Sequence, residues 1–315
     1  MISIIIGYIT DLIIGDPQGW PHPVRLIGKM INKLEKYLRS KCKSSRGERK
    51  AGAVLWFIAV ITSFMVPYLI IFAINKINSY LAVIAEGIMC YYIFAARSLK
   101  DESMKVYAAL KNGDLVGARR FLSYIVGRDT ESLSESSVAR ATVETVAENT
   151  SDGVIAPMIY TFIGGAPLGF MYKAINTLDS MVGYRNEKYI DFGRFSAIAD
   201  DIANYIPSRI SAYIMIAASF FIGYDYKSAF KIYKRDRYNH LSPNSAQTEA
   251  VCAGALNIIL GGGSFYNGVM VSKPTIGDDK RNIETEDVKR ANKLMYAASI
   301  ICLIIGMAGY ALYLI

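Results

Sequence analysis

From Ala51 to Ile74 the chain reads AGAVLWFIAVITSFMVPYLIIFAI, with no charged residue anywhere in the run. About 20 such residues at a rise of 1.5 Å each cross a hydrocarbon core roughly 30 Å thick. In that medium a single segment satisfies its backbone N–H and C=O groups only as a helix. The run therefore predicts a transmembrane helix, and the rest of the chain has to be read around a bilayer.

Further apolar stretches agree. Met295–Ile315, MYAASIICLIIGMAGYALYLI, is uncharged and reads as a C-terminal span. Tyr80–Ala96 is a third span and carries Glu86, an intramembrane carboxylate that needs a partner or a polar cavity. Ile210–Gly223 is shorter but apolar, and is expected to cross. Ile2–Ile14 includes Asp11 and suits a short span, an interfacial helix or a core helix. Val154–Tyr172 holds Pro157, Gly164, Gly165, Pro167 and Gly169, which predicts a broken or re-entrant segment buried by protein. No small-residue cleavage site follows the first apolar run, so no removable signal peptide is read. Period-two strands are absent. The expectation is an all-α polytopic membrane protein with four to six membrane helices, forming one integrated domain over 1–315 with 97–150 as a cytoplasmic helical insertion. Within that insertion Val106, Ala109, Leu110, Val116, Phe121 and Leu122 follow helical spacing, and Asp114 after Lys111-Asn112-Gly113 is placed to cap a helix.

Orientation follows from Lys and Arg in short loops. Lys33, Lys36, Arg39, Lys41, Lys43, Arg46 and Arg49 make the 29–50 segment cytoplasmic, and 97–149 returns to the same side. In the second half both 173–209 and 224–294 favour the cytoplasm, and simple crossings do not satisfy both. The net charge of +8 resides mostly in these loops and reflects topology or an electrostatic funnel for phosphorylated substrates. No nucleic-acid-binding motif accompanies it. The 4 cysteines form no C-x-x-C pair and there are only 2 histidines, so a metal here would be held by oxygen, which suits Mg²⁺.

Four polar blocks stand out. Gly15–Arg25 packs three prolines beside the first apolar run. Such a segment cannot be a regular helix, and it holds Asp16, His22 and Arg25 in a rigid turn. In ARATVETVAENTSDG, residues 139–153, Arg140, Glu144, Glu148 and Asp152 recur every fourth residue and line one helix face. That row is either a solvated face with an Arg140–Glu144 ion pair or a carboxylate ladder which, with Asn149, can hold hydrated Mg²⁺ and a nucleotide phosphate. Lys173–Arg209 mixes Lys173, Asn176, Asp179, Tyr184, Arg185, Asp191, Arg194, Asp200, Asp201, Asn204 and Arg209, a composition that suits a lined cavity. His240–Ala250 contains the helix-entry turn Ser242-Pro243-Asn244 and leads to Gly261-Gly262-Gly263, which is either a turn or a phosphate wrap. No G-x-x-x-x-G-K-[ST] loop is present.

Taken together these segments resemble the adenosylcobinamide-phosphate synthase (cobinamide synthase) family of cobalamin biosynthesis. The resemblance covers nearly the whole chain. It is carried by GDPQGWPHPVRLIG at 15–28, ETVAENTSDGVIAP at 144–157, GGAPLGFMYKAINTLDSMVGY at 164–184, DDIANYIPSR at 200–209 and SPNSAQTEA at 242–250. One departure is visible: Ser245–Thr248 is small and polar where the family is usually bulkier.

The resemblance implies ATP-dependent ligation of adenosylcobyric acid to (R)-1-amino-2-propanol or its O-phosphate, giving adenosylcobinamide or its phosphate. It implies ATP and Mg²⁺ as cofactors, the lipid bilayer and other membrane enzymes of cobalamin assembly as partners, and an active site facing the cytoplasm. On this reading Glu144, Glu148, Asp152 and Asp179 hold Mg²⁺-nucleotide. Arg25, Lys173, Arg185 and Arg209, with Asn176, Asn204 and Asn244, bind phosphates and substrate. His22 or Asp201 accepts the amine proton. The competing reading is a membrane transporter of a corrinoid or other anionic substrate, which inverted-repeat hydropathy would favour; the sequence has none.

Overall fold

The computed structural model describes residues 1–17, 19–184, 186–266 and 268–313. Helices dominate, and among the described residues four are long and apolar enough to cross a membrane: Ser45–Ile77, Ser79–Lys111, Glu135–Val182 and Asp287–Leu312. The chain is a multi-pass helical membrane protein, in agreement with the all-α expectation. The runs at 51–74, 80–96 and 295–315 fall on three of these helices. The Gly/Pro-rich stretch falls on the fourth.

Ile210–Gly223, expected to cross, is instead the end of a helix outside that set of four. It belongs to Arg194–Phe221, which carries Arg194, Asp200, Asp201 and Arg209 ahead of the apolar part. The apolar part is about 20 Å long at 1.5 Å per residue, short of the hydrocarbon thickness.

The chain divides into two compact units. The first comprises Met1–Ala95 and Pro157–Asn204, with a short C-terminal piece from Gly309; the second comprises Ala96–Ala156 and Tyr205–Ala308.

In the first unit α1 (Ile2–Ile14) packs along α4 (Ser79–Ile93), and α3 (Ser45–Ile77) packs against α2 (Pro23–Arg39) and α4. Glycine sets the closeness of α1 and α4. A Cβ on Gly7 would overlap Cys90, and one on Gly87 would overlap Ile6. Small residues that let helix backbones approach are the usual packing device where lipid provides no hydrophobic drive between helices. Lipid-facing positions such as Phe57, Ile61, Leu69 and Phe72 stay exposed on α3.

Helix α8 (Ala156–Val182) breaks where its sequence predicts. Gly164 (φ −147°, ψ 30°) and Gly165 (φ 67°, ψ −166°) leave helical geometry, and the positive φ of Gly165 suits only glycine. The break exposes backbone N–H groups. Glu86, the intramembrane carboxylate, meets them, accepting from Ala166 N at 3.3 Å and from Ser3 Oγ at 2.7 Å.

The second unit is built on α5 (Ala96–Lys111), α6 (Leu115–Ser123) and α7 (Glu135–Asn149). They share a core of Val106, Leu110, Ala118, Leu122, Val138 and Ala141. Asp114 caps α6 as expected, accepting from Gly117 N at 2.8 Å. Val116 does not join this core and is 76% exposed. After α7 the chain winds as a π-helix over Thr150–Ile155. This wider turn rotates Asp152 away from the row of Glu144 and Glu148.

Within the same unit α10 (Tyr226–Asp236) packs on α11 (Ser245–Leu256), which in turn contacts α7. All of α11 is buried. Two short antiparallel pairs follow, β1 (Leu260–Gly261) with β4 (Thr275–Ile276) and β2 (Ser264–Tyr266) with β3 (Val269–Val271). They were not foreseen, being two or three residues long. The remaining helices are α9 (Arg194–Phe221) and α12 (Asp287–Tyr313).

Candidate functional site

In the second unit a cavity of about 220 Å³ is lined by Ile125–Arg128, Thr145, Glu148, Asn149, His240, Glu249, Tyr266 and Lys273. Its acidic wall comes from α7 and α11. Glu144 and Glu148 are one turn apart on α7, and Ser245 and Glu249 are one turn apart on α11, so each helix presents its pair on one face. Ser245 Oγ donates to Glu148 Oε1 at 2.7 Å.

Glu144 is committed elsewhere. Its Oε2 lies 2.7 Å from Arg128 Nη2, and its Oε1 accepts from Gly261 N at 2.8 Å. The expected Arg140–Glu144 pair is not formed, because Arg128 takes that place. The glycine at 261, with φ 74°, presents its backbone N–H to a carboxylate.

Glu249 is 4% exposed. Burial pushes its carboxyl well above the usual range, and the neighbouring Glu148 and Glu144 push it further. His240 accepts from Ser242 N through Nδ1 at 3.0 Å, which leaves its proton on Nε2. Burial holds the ring below the ordinary histidine value, against the pull of Glu148. The neutral ring is thus a donor. Lys273 Nζ donates to Tyr266 Oη at 2.9 Å. The cavity therefore joins two carboxyl groups, two permanent cations and one neutral imidazole.

Arg209 and Asn244 also belong to this unit. The Arg209 guanidinium lies 3.5 Å from the centre of the Tyr205 ring and donates to Asn244 Oδ1 at 3.1 Å. Asn244 is 4% exposed and also accepts from Ser208 Oγ at 3.2 Å. These contacts pin the entry to α11, and neither residue lines the cavity.

The first unit holds the other expected residues, in two groups. Asp16, His22, Arg25 and Lys173 line a cavity of about 250 Å³ together with Val24, Tyr92, Phe94 and Ala95. His22 caps α2, its Nδ1 accepting from Val24 N at 3.2 Å, and its Nε2 lies 3.2 Å from Asp16 Oδ1. His22 thus holds the turn through Nδ1, with Asp16 beside its Nε2.

The second group centres on Asp200. Asn204 Nδ2 donates to it at 3.0 Å and Asn176 Nδ2 at 3.4 Å, while Tyr172 Oη donates to Asn204 Oδ1 at 2.7 Å. Burial first, and then the nearby Asp179, push the Asp200 carboxyl up to about 7. Asp201 follows on the same helix, half-buried. Arg185 lies outside the described residues.

Of the carboxylates expected for the metal, Glu144, Glu148 and Asp152 lie in the second unit and Asp179 in the first. Among the described residues no three His, Cys, Asp or Glu side chains come together as a metal-binding group. The physical reason is the pairing of Glu144 with Arg128 and the π-turn under Asp152.

Sequence reasoning missed Arg128, His240, Tyr266 and Lys273 as cavity residues, and Glu249 as its buried acid. The only local signal was the four-residue spacing of Ser245 and Glu249, which matches that of Glu144 and Glu148. The other residues are isolated in sequence.

Helices long and apolar enough to cross a membrane define a multi-pass integral membrane protein, and each of its two units carries a cavity lined by both acids and bases. The chain belongs to the CobD/CbiB family: the model described as "CobD/Cbib protein" matches residues 4–295. It is 52% identical to the cobalamin biosynthesis protein CobD of Clostridium perfringens, over 98% of this chain and 97% of that one. It is 46% identical to the protein of the same name from Citrobacter koseri, over 96% and 95% of the two chains. With the cobalamin biosynthesis protein CbiB of Salmonella arizonae the identity is 45%, over 96% and 95%. No solved structure matches the chain.

Proposed function

We propose that the chain is an amide ligase of cobalamin assembly, joining adenosylcobyric acid to (R)-1-amino-2-propanol or its O-phosphate at the expense of ATP. Family membership supports the pathway. The observation that carries the chemistry is the cavity of the second unit, where Glu148 and Glu249 stand with Arg128, Lys273 and His240.

A carboxylate is unreactive toward amines until one of its oxygens becomes a leaving group. Transfer of a phosphoryl group from ATP makes an acyl phosphate and releases ADP. Attack by the neutral amine then forms the C–N bond and expels phosphate, and one proton leaves the nitrogen. Mg²⁺ is typically held by one or two carboxylates together with phosphate oxygens and water, and Glu148 with Glu249 is such a donor set. When bound, the ion supplies charge neutralisation at the phosphates.

The chain's own residues supply the remainder. Arg128 and Lys273 bind phosphate oxygens in a site where water is scarce and each charge counts for more. His240 Nε2–H donates to the oxygen on which negative charge develops. Glu148 takes the amine proton. The Lys/Arg-rich 29–50 segment supports a cytoplasmic orientation of this chemistry.

The test is incubation of detergent-purified protein with adenosylcobyric acid, MgATP and each amine, followed by the mass of the corrinoid. The expected product is heavier by the amine less one water. Glu249→Gln and Lys273→Gln, shown to be folded by thermal melting, should each lower turnover by about 100-fold or more, the usual loss for a group that acts in the transition state. Near wild-type turnover by both would remove this site from the reaction. Absence of product in detergent, together with uptake into sealed vesicles, would make the protein a transporter.

A further inference from the structure

We propose that the cavity of the first unit, bounded by Asp16, His22, Arg25, Tyr92 and Lys173, is a binding site for a small metal-free phosphomonoester. Within the ligase reading on which it rests, this is the site for the phosphorylated amine. It is separate in composition from the cavity of the second unit and has its own lining.

Charge decides the ligand class. Arg25 and Lys173 are two permanent cations, set against the single carboxylate Asp16. The cavity of the second unit balances two cations with two carboxyl groups. A polyphosphate that arrives with Mg²⁺ needs carboxylate oxygens to share the ion. A phosphomonoester dianion without metal needs excess positive charge, with a guanidinium for paired hydrogen bonds and an ammonium as a point charge. Of these two cavities, the first-unit one has that excess.

The N–H groups of α2 are not the binding element. Val24 N is taken by His22 Nδ1, and Arg25 N and Leu26 N donate to His22 O. Binding therefore falls to side chains, with the positive end of α2 adding a favourable field.

Size narrows the class further. The cavity measures about 250 Å³, below the roughly 300–1,000 Å³ typical of sites for drug-sized ligands. A phosphate on a chain of a few carbons fits within it. Rigidity favours a preformed site, because Pro17, Pro21 and Pro23 restrict the segment carrying Asp16 and His22, and the His22 ring packs edge-on against Tyr92 at 5.1 Å. Asp16 in the same cavity offers a counter-charge for an ammonium group, so a short amino-phosphate would be held at both ends.

The experiment is calorimetric titration of the full-length protein in detergent, without ATP or Mg²⁺. The ligands are inorganic phosphate, (R)-1-amino-2-propanol O-phosphate and the unphosphorylated amino alcohol. Saturable binding of both phosphates is expected, tighter for the amino-phosphate, with the amino alcohol at least tenfold weaker, the cost of losing a charge-assisted contact. Arg25 is solvent-exposed, so Arg25→Gln leaves the fold intact. Arg25→Gln and Lys173→Gln should each weaken phosphate binding by about tenfold or more, and Lys173→Arg should recover part of it. Glu249→Gln should leave it unchanged.

Absence of phosphate binding by folded wild-type protein would overturn the site, as would binding unaltered in both Arg25→Gln and Lys173→Gln. Failure of the ligase reading looks different: phosphate binding and its loss in the variants persist, but no amide forms with any amine. Amide formation with an unchanged KM for the amino-phosphate in both variants would retain the ligase and refute this site.

Discussion

Removal of the Glu86 carboxylate should destabilise the first unit, and the size of the effect follows from what that group touches. Glu86 accepts from Ser3 Oγ at 2.7 Å and from Ala166 N at 3.3 Å. Ala166 follows the Gly164–Gly165 break, where the second half of α8 begins without a preceding turn to occupy its N–H groups. Two hydrogen bonds to a charged acceptor contribute about 1.5–3 kcal/mol each, or roughly 3–6 together. Against this, an ionised carboxylate within a membrane helix costs about 2.5–3.5 kcal/mol by insertion scales. The two ranges overlap only near their common value of about 3 kcal/mol. What decides the sign is the buried N–H that Glu86→Ala leaves without an acceptor, a penalty of about 1–3 kcal/mol.

Glu86→Ala should therefore cost about 1–3 kcal/mol. Glu86→Gln retains a carbonyl acceptor for Ala166 and should cost less than about 1 kcal/mol. Glu86→Lys places a cation against the positive end of the half-helix and should be the worst of the three. Both tryptophans, Trp20 and Trp56, lie in the first unit, so intrinsic fluorescence during unfolding in mixed micelles of mild detergent and dodecyl sulfate reports on the right part of the molecule. A Glu86→Ala protein as stable as wild type would refute the capping role, as would a Gln variant as unstable as the Ala one.

Two further outcomes follow from charges already described. The Asp200 carboxyl is pushed up to about 7, chiefly by burial and then by Asp179, so its contribution to stability is complete below the ordinary aspartate value near 4 and is lost as the pH rises through 7. Melting temperatures recorded from pH 5 to 9 should fall for wild type and stay flatter for Asp200→Asn; parallel curves would contradict the assignment. The pairing of Arg128 with Glu144, at 2.7 Å and with side-chain exposures of 18% and 5%, predicts a cost of about 3–5 kcal/mol for Glu144→Ala, because a largely buried guanidinium loses its partner. The double variant Glu144→Ala/Arg128→Leu should be destabilised by clearly less than the sum of the single variants, and strict additivity in denaturant titrations would show that the pair is not coupled.

Much of the architecture was legible because it depends on local pattern. The uncharged run at 51–74 could only become α3, and the two glycines at 164–165 had to interrupt α8 wherever that helix lay. Asp114 capped α6 with the partner three residues on that its spacing implies. The family was equally legible, since its motifs are contiguous stretches read directly from the chain.

The candidate site was legible only in part. Glu144 and Glu148 were recognisable as a row on one helix face, but the spacing carried no information about which of them would be occupied. Arg128 reached Glu144 from an earlier loop, Gly261 supplied an N–H from more than a hundred residues onward, and the pair left Glu148 as the α7 carboxylate of the cavity. Tyr266 and Lys273 are lone residues in sequence, while His240, Ser245 and Glu249 belonged to a block read as a helix entry. They become one lining because α11 is buried against α7, and the turns after it return to the same place.

The sequence by itself determined the long apolar runs at 51–74 and 80–96, the break at Gly164–Gly165, and to which family the chain belongs, because each of these depends on neighbours within a few turns. Only the tertiary structure decided which acids meet which bases, and therefore which carboxylate is neutralised and which faces the cavity. Electrostatic pairing acts over a few ångströms in space, and no local periodicity records that distance.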